Sequence, residues 1–170
     1  LMSTGKPVPD DFVFSLIKEY IEEVEEDVLI FDNFPFNQRQ SELFDAYISE
    51  KNYPDPKIIY INIDPEIVIE RMSLRLICPK CSKTFIKTER DVCPDCKIDL
   101  VQRADDNEST VRNRIESYVP NIEKMVDLYS KKNMLIEING DQSIEAVSKD
   151  IESQILKRLH CLLVVGWFIS

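Results

Sequence analysis

KIIYINI, residues 57–63, carries isoleucine on both parities of the strand period, at positions 58, 59, 61 and 63. A strand with one wet face would alternate apolar and polar residues, so this run predicts a strand covered on both sides. Working outward, VLIFD (28–32), ending in Asp, and MLIEING (134–140), ending at Gly140, have the same character. Helical spacing fills the intervals. PDDFVFSLIKEYIEEVEED (9–27) sets Val13, Leu16, Ile17, Tyr20, Ile21 and Val24 at helical intervals, with Asp10 or Asp11 as cap. QSELFDAYISEK (40–51) reads as a helix, and Pro65 opens another through about Leu76. DDNESTVRNRIESYVPNIEKMVDLYSKK (105–132) is helical with a kink or break expected at Pro120. SIEAVSKDIESQILKRL (143–159) repeats the pattern at Ile144, Val147, Ile151 and Ile155. Doubly covered strands alternating with helices predict an α/β fold, a parallel sheet flanked by helices. The block HCLLVVGWFIS (160–170) reads either as a final strand or as a feature of the chain's end with no structural role.

Composition agrees with a globular protein. The 170 residues are 44% hydrophobic and 31% charged, with a net charge of −10. That charge argues against general affinity for nucleic acid or an anionic membrane. No signal peptide is apparent, nor an apolar run long enough to span a bilayer, and a cytoplasmic location is expected.

Two Cys-x2-Cys pairs, Cys78/Cys81 and Cys93/Cys96, interrupt the α/β pattern. Four thiolates at this spacing predict tetrahedral Zn²⁺. With every position taken by sulfur, the ion would be structural. The spacing also argues for a reducing compartment and against a disulfide scaffold. Cys161 stands apart and is expected to be an inert buried thiol. Five arginines flank the pairs: Arg71, Arg75, Arg103, Arg112 and Arg114. Arg71 and Arg75, read as i,i+4, would share one helix face. Guanidinium groups suit phosphate oxygens, so the cluster points to polyphosphate capture; ion pairing with Glu70, Asp105, Asp106 and Glu108 is the competing reading. Asp32, closing an apolar strand, is a candidate for the water shell of Mg²⁺.

GKPVPDDFVFSLIKE, FDNFPFNQRQ, ERMSLRLICPKC, CPDCKIDLVQRADDNESTVRNRI and INGDQSIEAV, in that order, resemble the adenylate kinases of the zinc-bearing bacterial type. The resemblance runs over residues 1–156. It implies a P-loop-kinase-like core over residues 1–76 and 105–159, with 77–104 an inserted zinc-stapled lid and 160–170 a tail of unassigned role. It also implies reversible phosphoryl transfer, ATP + AMP = 2 ADP, with Mg²⁺, by a monomer. Carried over by position, Arg71 and Arg75 would meet ATP phosphates and the transferring group, and Arg103 and Arg114 the phosphates of both nucleotides. Asp32 would hold Mg²⁺ through water. Gln40 would read the adenine edge of AMP. Lys6, Pro7, Val8, Asn33, Phe34 and Pro35 would line the AMP pocket. Thr84, Phe85 and Gln142 would frame the ATP base. Arg112 matches a variable position and reads as a surface charge.

The chain departs from that pattern in the loop between the cysteine pairs, which is shorter than usual and has Ile86 where an aromatic-plus-His pair is common, and more seriously in two other places. It contains no G-x-x-x-x-G-K, and its glycines are Gly5, Gly140 and Gly166 alone. The residues as given therefore read as cut at the N-terminus, slow in phosphoryl transfer by themselves, and with a sheet neighbour left unpaired. Where the family has Gly-Phe-Pro-Arg, this chain has Asn33-Phe34-Pro35-Phe36, and Arg39 is a candidate substitute for the missing guanidinium. His160, the single histidine, receives no role. The alternatives are a kinase for another nucleoside monophosphate, which Phe36 favours and Gln40 opposes, and a catalytically dead nucleotide-binding or zinc-bearing interaction protein.

Overall fold

A computed structural model describes residues 8–25, 28–156 and 164–167. Lys6, Pro7, Cys161 and His160 lie outside the described residues, as do positions 157–159 of the last expected helix. The elements run α1 (Asp10–Glu23), β1 (Ile30–Asp32), α2 (Gln38–Lys51), β2 (Lys57–Asn62), α3 (Pro65–Ser73), β3 (Arg75–Ile77) and β4 (Thr84–Ile86). After these come α4 (Glu108–Lys131), β5 (Leu135–Asn139), α5 (Ile144–Leu156) and β6 (Val164–Trp167). They form two compact units. One runs to Asn62 and resumes at Pro120; the other spans Ile63–Val119 and so takes in α3 and the start of α4 as well as the cysteine insert.

In the first unit the sheet order is β1-β6-β2-β5, every pair parallel. The segment with two open readings thus contributes an internal strand. Ile30 pairs with Val164, and Val164 in turn with Lys57. The expectation of an unpaired sheet neighbour is corrected here, because β6 bonds to β1 on one side and to β2 on the other.

Both faces are covered, as the isoleucine run requires. Ile58 faces a core built with Phe31, Phe34, Phe44, Met125 and Tyr129. Ile59 and Ile61 face Ile136, Ile138 and, from α5, Val147 and Ile151. On the first face Phe31, Phe34 and Phe44 meet edge-on, with centroids 5.4–6.3 Å apart. The fully buried Tyr129 hydroxyl meets Ser41 Oγ at 2.9 Å, and burial raises its pKa above the ordinary phenol value.

Two local expectations change, and of the kink or break expected at Pro120 the break does not occur. The cap of α1 is Pro9, with no side-chain cap bond; Asp10 and Asp11 lie inside the first turn, where carboxylates favour the positive end of the helix dipole. Helix α3 stops at Ser73, so Arg75 opens a strand and does not share a helix face with Arg71. The donors that would continue the helix are committed elsewhere: Ile77 N–H to Val101 O (2.8 Å) and Cys78 N–H to Lys83 O (3.0 Å). Helix α4 runs through Pro120 without a break. In the second unit, Val68, Ile69, Met72, Val111 and Ile115 make a small separate core.

Phe44→Ala removes a fully buried ring from three-way aromatic packing and should cost about 3–5 kcal/mol. Urea unfolding of the two proteins side by side measures this.

Candidate active site

The first unit presents its candidate residues where β1 and β5 end. Ligands of open parallel sheets bind at the carboxyl ends of strands. Asp32 is exposed as the last residue of β1. Asn33 follows with φ 58°, a left-handed conformation that Asn tolerates. Phe34 and Pro35, joined by a cis peptide, are buried. Asn37 then caps α2, its Oδ1 accepting from Gln40 N–H at 3.0 Å.

Gln40 is 7% exposed and held at both ends of its amide. Oε1 accepts from Phe36 N–H at 2.8 Å, and Nε2 donates to Asp10 Oδ1 at 2.8 Å. The same Asp10 oxygen accepts from Asn37 Nδ2 at 2.9 Å. Arg39, the candidate substitute guanidinium, pairs with Asp11 at 2.6 Å, both side chains largely exposed. Val8 is half-buried ahead of α1.

Beyond β5, Gly140 N–H donates to Asn62 O at 2.6 Å. Gln142 Nε2 donates to Asn139 O (3.0 Å) and to Asp150 (2.7 Å). An open cavity of about 520 Å³ lies here, lined by Asn62, Glu137, Asn139 and Asp141. None of these four was singled out from the sequence; their position at the ends of two paired parallel strands is the signal that could have found them.

The second unit holds the arginines and the thiols. Arg75 makes a two-point contact with Asp106, Nε at 2.9 Å and Nη2 at 2.6 Å, and Asp106 is 1% exposed. Arg103 grips Asp105 in the same way at 3.0 and 2.6 Å, but in the open. Arg112 binds Glu66 and Glu108. Arg114 lies over the Tyr118 ring at 5.8 Å. Arg71 occupies the last turn of α3. At least three of the five arginines thus take the ion-pairing arrangement. Thr84 and Phe85 sit on β4, with the Arg90 guanidinium 5.6 Å from the Phe85 ring centroid.

The cysteines form two matching turns. Cys78 O accepts from Ser82 N–H and Cys78 N–H donates to Lys83 O; Cys93 O accepts from Lys97 N–H and Cys93 N–H donates to Ile98 O. Ser82 and Lys97 both turn left-handed, with φ 58° and 57°. The four sulfurs lie within 4.8 Å of one another, and Cys81 and Cys93 are 3.8 Å apart. A tetrahedral ion with 2.3 Å metal–sulfur bonds spaces its ligands about 3.8 Å apart, so the donor set fits a metal ion such as zinc. Burial pushes the Cys78 thiol up, but N–H groups of Cys81 and Lys80 outweigh it and bring it down to about 6. Burial and the neighbouring thiols push Cys96 up to about 12.

The first unit is thus a parallel sheet flanked by helices, an α/β fold, and the second carries the arginines and the four-thiol cluster. A family profile described as Adenylate kinase matches residues 1–134. The adenylate kinase of Thermotoga petrophila is 31% identical over 173 residues, covering 98% of this chain and 74% of that protein. The adenylate kinase of a Geobacillus species is 34% identical over 156 residues, covering 88% and 72%. The chain belongs to the adenylate kinase family.

Burial separates the two acid–arginine pairs. Asp106→Ala strands Arg75 beside a closed site and should destabilise the protein by about 3 kcal/mol, whereas Asp105→Ala should leave stability little changed. Denaturant midpoints of the two variants test the contrast.

Proposed function

We propose that this chain takes part in reversible phosphoryl transfer from ATP to AMP, giving two ADP. Family membership carries the reading. The arginines of the second unit and the cavity at the carboxyl ends of β2 and β5 support it.

In this reading Arg71, Arg75, Arg103 and Arg114 bind phosphate oxygens and stabilise the charge that spreads over the transferring group. Exposed Arg103 exchanges Asp105 for phosphate at small cost. Arg75 does so less readily, and with Asp106 its larger part is to hold β3 in place. Asp32 holds the water shell of the Mg²⁺ that accompanies ATP, an ion that neutralises phosphate charge. Gln40 reads the base of AMP, with Lys6, Pro7, Val8, Asn33, Phe34 and Pro35 lining the pocket. Thr84, Phe85 and Gln142 frame the base of ATP. The four cysteines hold structural Zn²⁺, which orders the 77–104 insert as a lid with little core of its own.

Phe36 supports a second reading, in which the acceptor is a different nucleoside monophosphate. No guanidinium stands at that position, and Arg39 is engaged by Asp11.

Two measurements test the proposal. A coupled ADP-formation assay of the 170 residues should show turnover far below that of the same chain joined to a segment bearing G-x-x-x-x-G-K, because the backbone N–H nest and lysine of that loop act in the transition state. Equal turnover would refute the need for that loop, and no turnover in either protein would refute the phosphoryl-transfer reading. Metal analysis of protein purified without added zinc should find about one equivalent, and a chelator should disorder the insert while the helical far-UV signal persists. Absence of metal with four reactive thiols would refute the zinc assignment.

A further inference from the structure

An amide side chain can present two opposite patterns. Rotated by a half turn, a glutamine exchanges its acceptor oxygen for its donor nitrogen in nearly the same space. A glutamine that reads a base discriminates only when something fixes which way round it stands.

Gln40 is fixed. Its oxygen takes the Phe36 N–H at 2.8 Å, and its nitrogen gives a proton to Asp10 Oδ1 at 2.8 Å. The flipped amide would set oxygen against carboxylate oxygen and N–H against N–H. Two hydrogen bonds would become two repulsions in a site that is 7% exposed. The lock has two halves: the carboxylate is acceptor-only and the Phe36 N–H donor-only, so an amide or hydroxyl at position 10, which could turn to suit either orientation, would remove only the half that Asp10 supplies. Asn37 steadies the same oxygen, donating to it at 2.9 Å while its own Oδ1 takes Gln40 N–H. After these bonds Gln40 keeps one lone pair on Oε1 and one N–H on Nε2 among the described residues.

We propose that Asp10 is a positioning residue for base selection: by locking the Gln40 amide it favours a purine that presents an amino donor beside a ring-nitrogen acceptor. The proposal rests on Gln40 reading the base, as set out under the proposed function. Adenine offers N6–H beside the N1 acceptor. Hypoxanthine in the same seating offers a carbonyl oxygen beside N1–H, the inverse pattern, and would meet the locked amide with two repulsions. If Gln40 could rotate, both bases would be accepted.

The test is equilibrium binding of AMP and of IMP, which differ at this edge alone, to the full 170-residue chain, to Asp10→Asn and to Gln40→Ala. The wild-type chain should prefer AMP, and Asp10→Asn should lower the AMP/IMP affinity ratio by about threefold, chiefly by tightening IMP, the Phe36 N–H still holding the other half of the lock. A structural weakening would lower both affinities together and leave the ratio unmoved. The side-chain amide protons of Gln40, followed by ¹⁵N-resolved NMR without nucleotide, should shift and exchange faster in Asp10→Asn. An unchanged ratio in Asp10→Asn alongside a lowered ratio in Gln40→Ala overturns the proposal, as do unmoved amide signals. Equal binding of AMP and IMP by the wild-type chain, with Gln40→Ala no different, instead defeats the base-reading role of Gln40, and with it the selectivity drawn from Asp10.

Discussion

Among the described strands, β1 makes its ladder to β6 alone. The first unit depends on that arrangement. Ile30, Phe31 and Asp32 are held against Val164, Val165 and Gly166, and β6 passes the register on to β2. Phe31 points from β1 into the core shared with Phe34 and Phe44. The loop leaving Asp32 then delivers Asn37 and Gln40. Everything from the exposed carboxylate of Asp32 to the locked amide thus hangs from a three-residue strand with one described neighbour. Parallel pairing needs a long crossover, and this one joins segments separated by most of the chain.

Where a residue's environment is set by its near neighbours, the sequence was readable. The doubly apolar run 57–63 announced a strand covered on both faces, and Ile58 and Ile59 enter opposite cores. The paired cysteine spacing announced a sulfur cluster, and the four sulfurs converge. Where distant partners decide, it was not. Nothing near Arg75 signals that Val101 and Lys83 take the amide protons a longer α3 would have used. Nothing near Asp10 signals a contact with Gln40, thirty positions on. Within the block 160–170, the strand Val164–Trp167 could not be told from a feature of the chain's end because its pairing is defined wholly by β1 and β2.

The arginine cluster shows the same chemistry sorted by burial. Arg75 and Arg103 each make a two-point contact with an aspartate, and those aspartates are adjacent in sequence. Asp106 is closed off from solvent, so breaking its pair would leave an uncompensated buried charge. Asp105 is open, so its pair contributes little to stability. A count of arginines and acids cannot distinguish the two.

The two cysteine turns each place a residue with a β-carbon, Ser82 and Lys97, in the left-handed region. Each such residue costs roughly 1 kcal/mol relative to a relaxed backbone. If the insert folds on binding an ion, as proposed, that strain would be subtracted from its affinity for the ion. Together the two turns would then raise the apparent dissociation constant by about thirtyfold over a glycine-bearing equivalent. Order around the four cysteines would follow free-ion concentration over a correspondingly higher range, and a competing chelator would empty the site sooner.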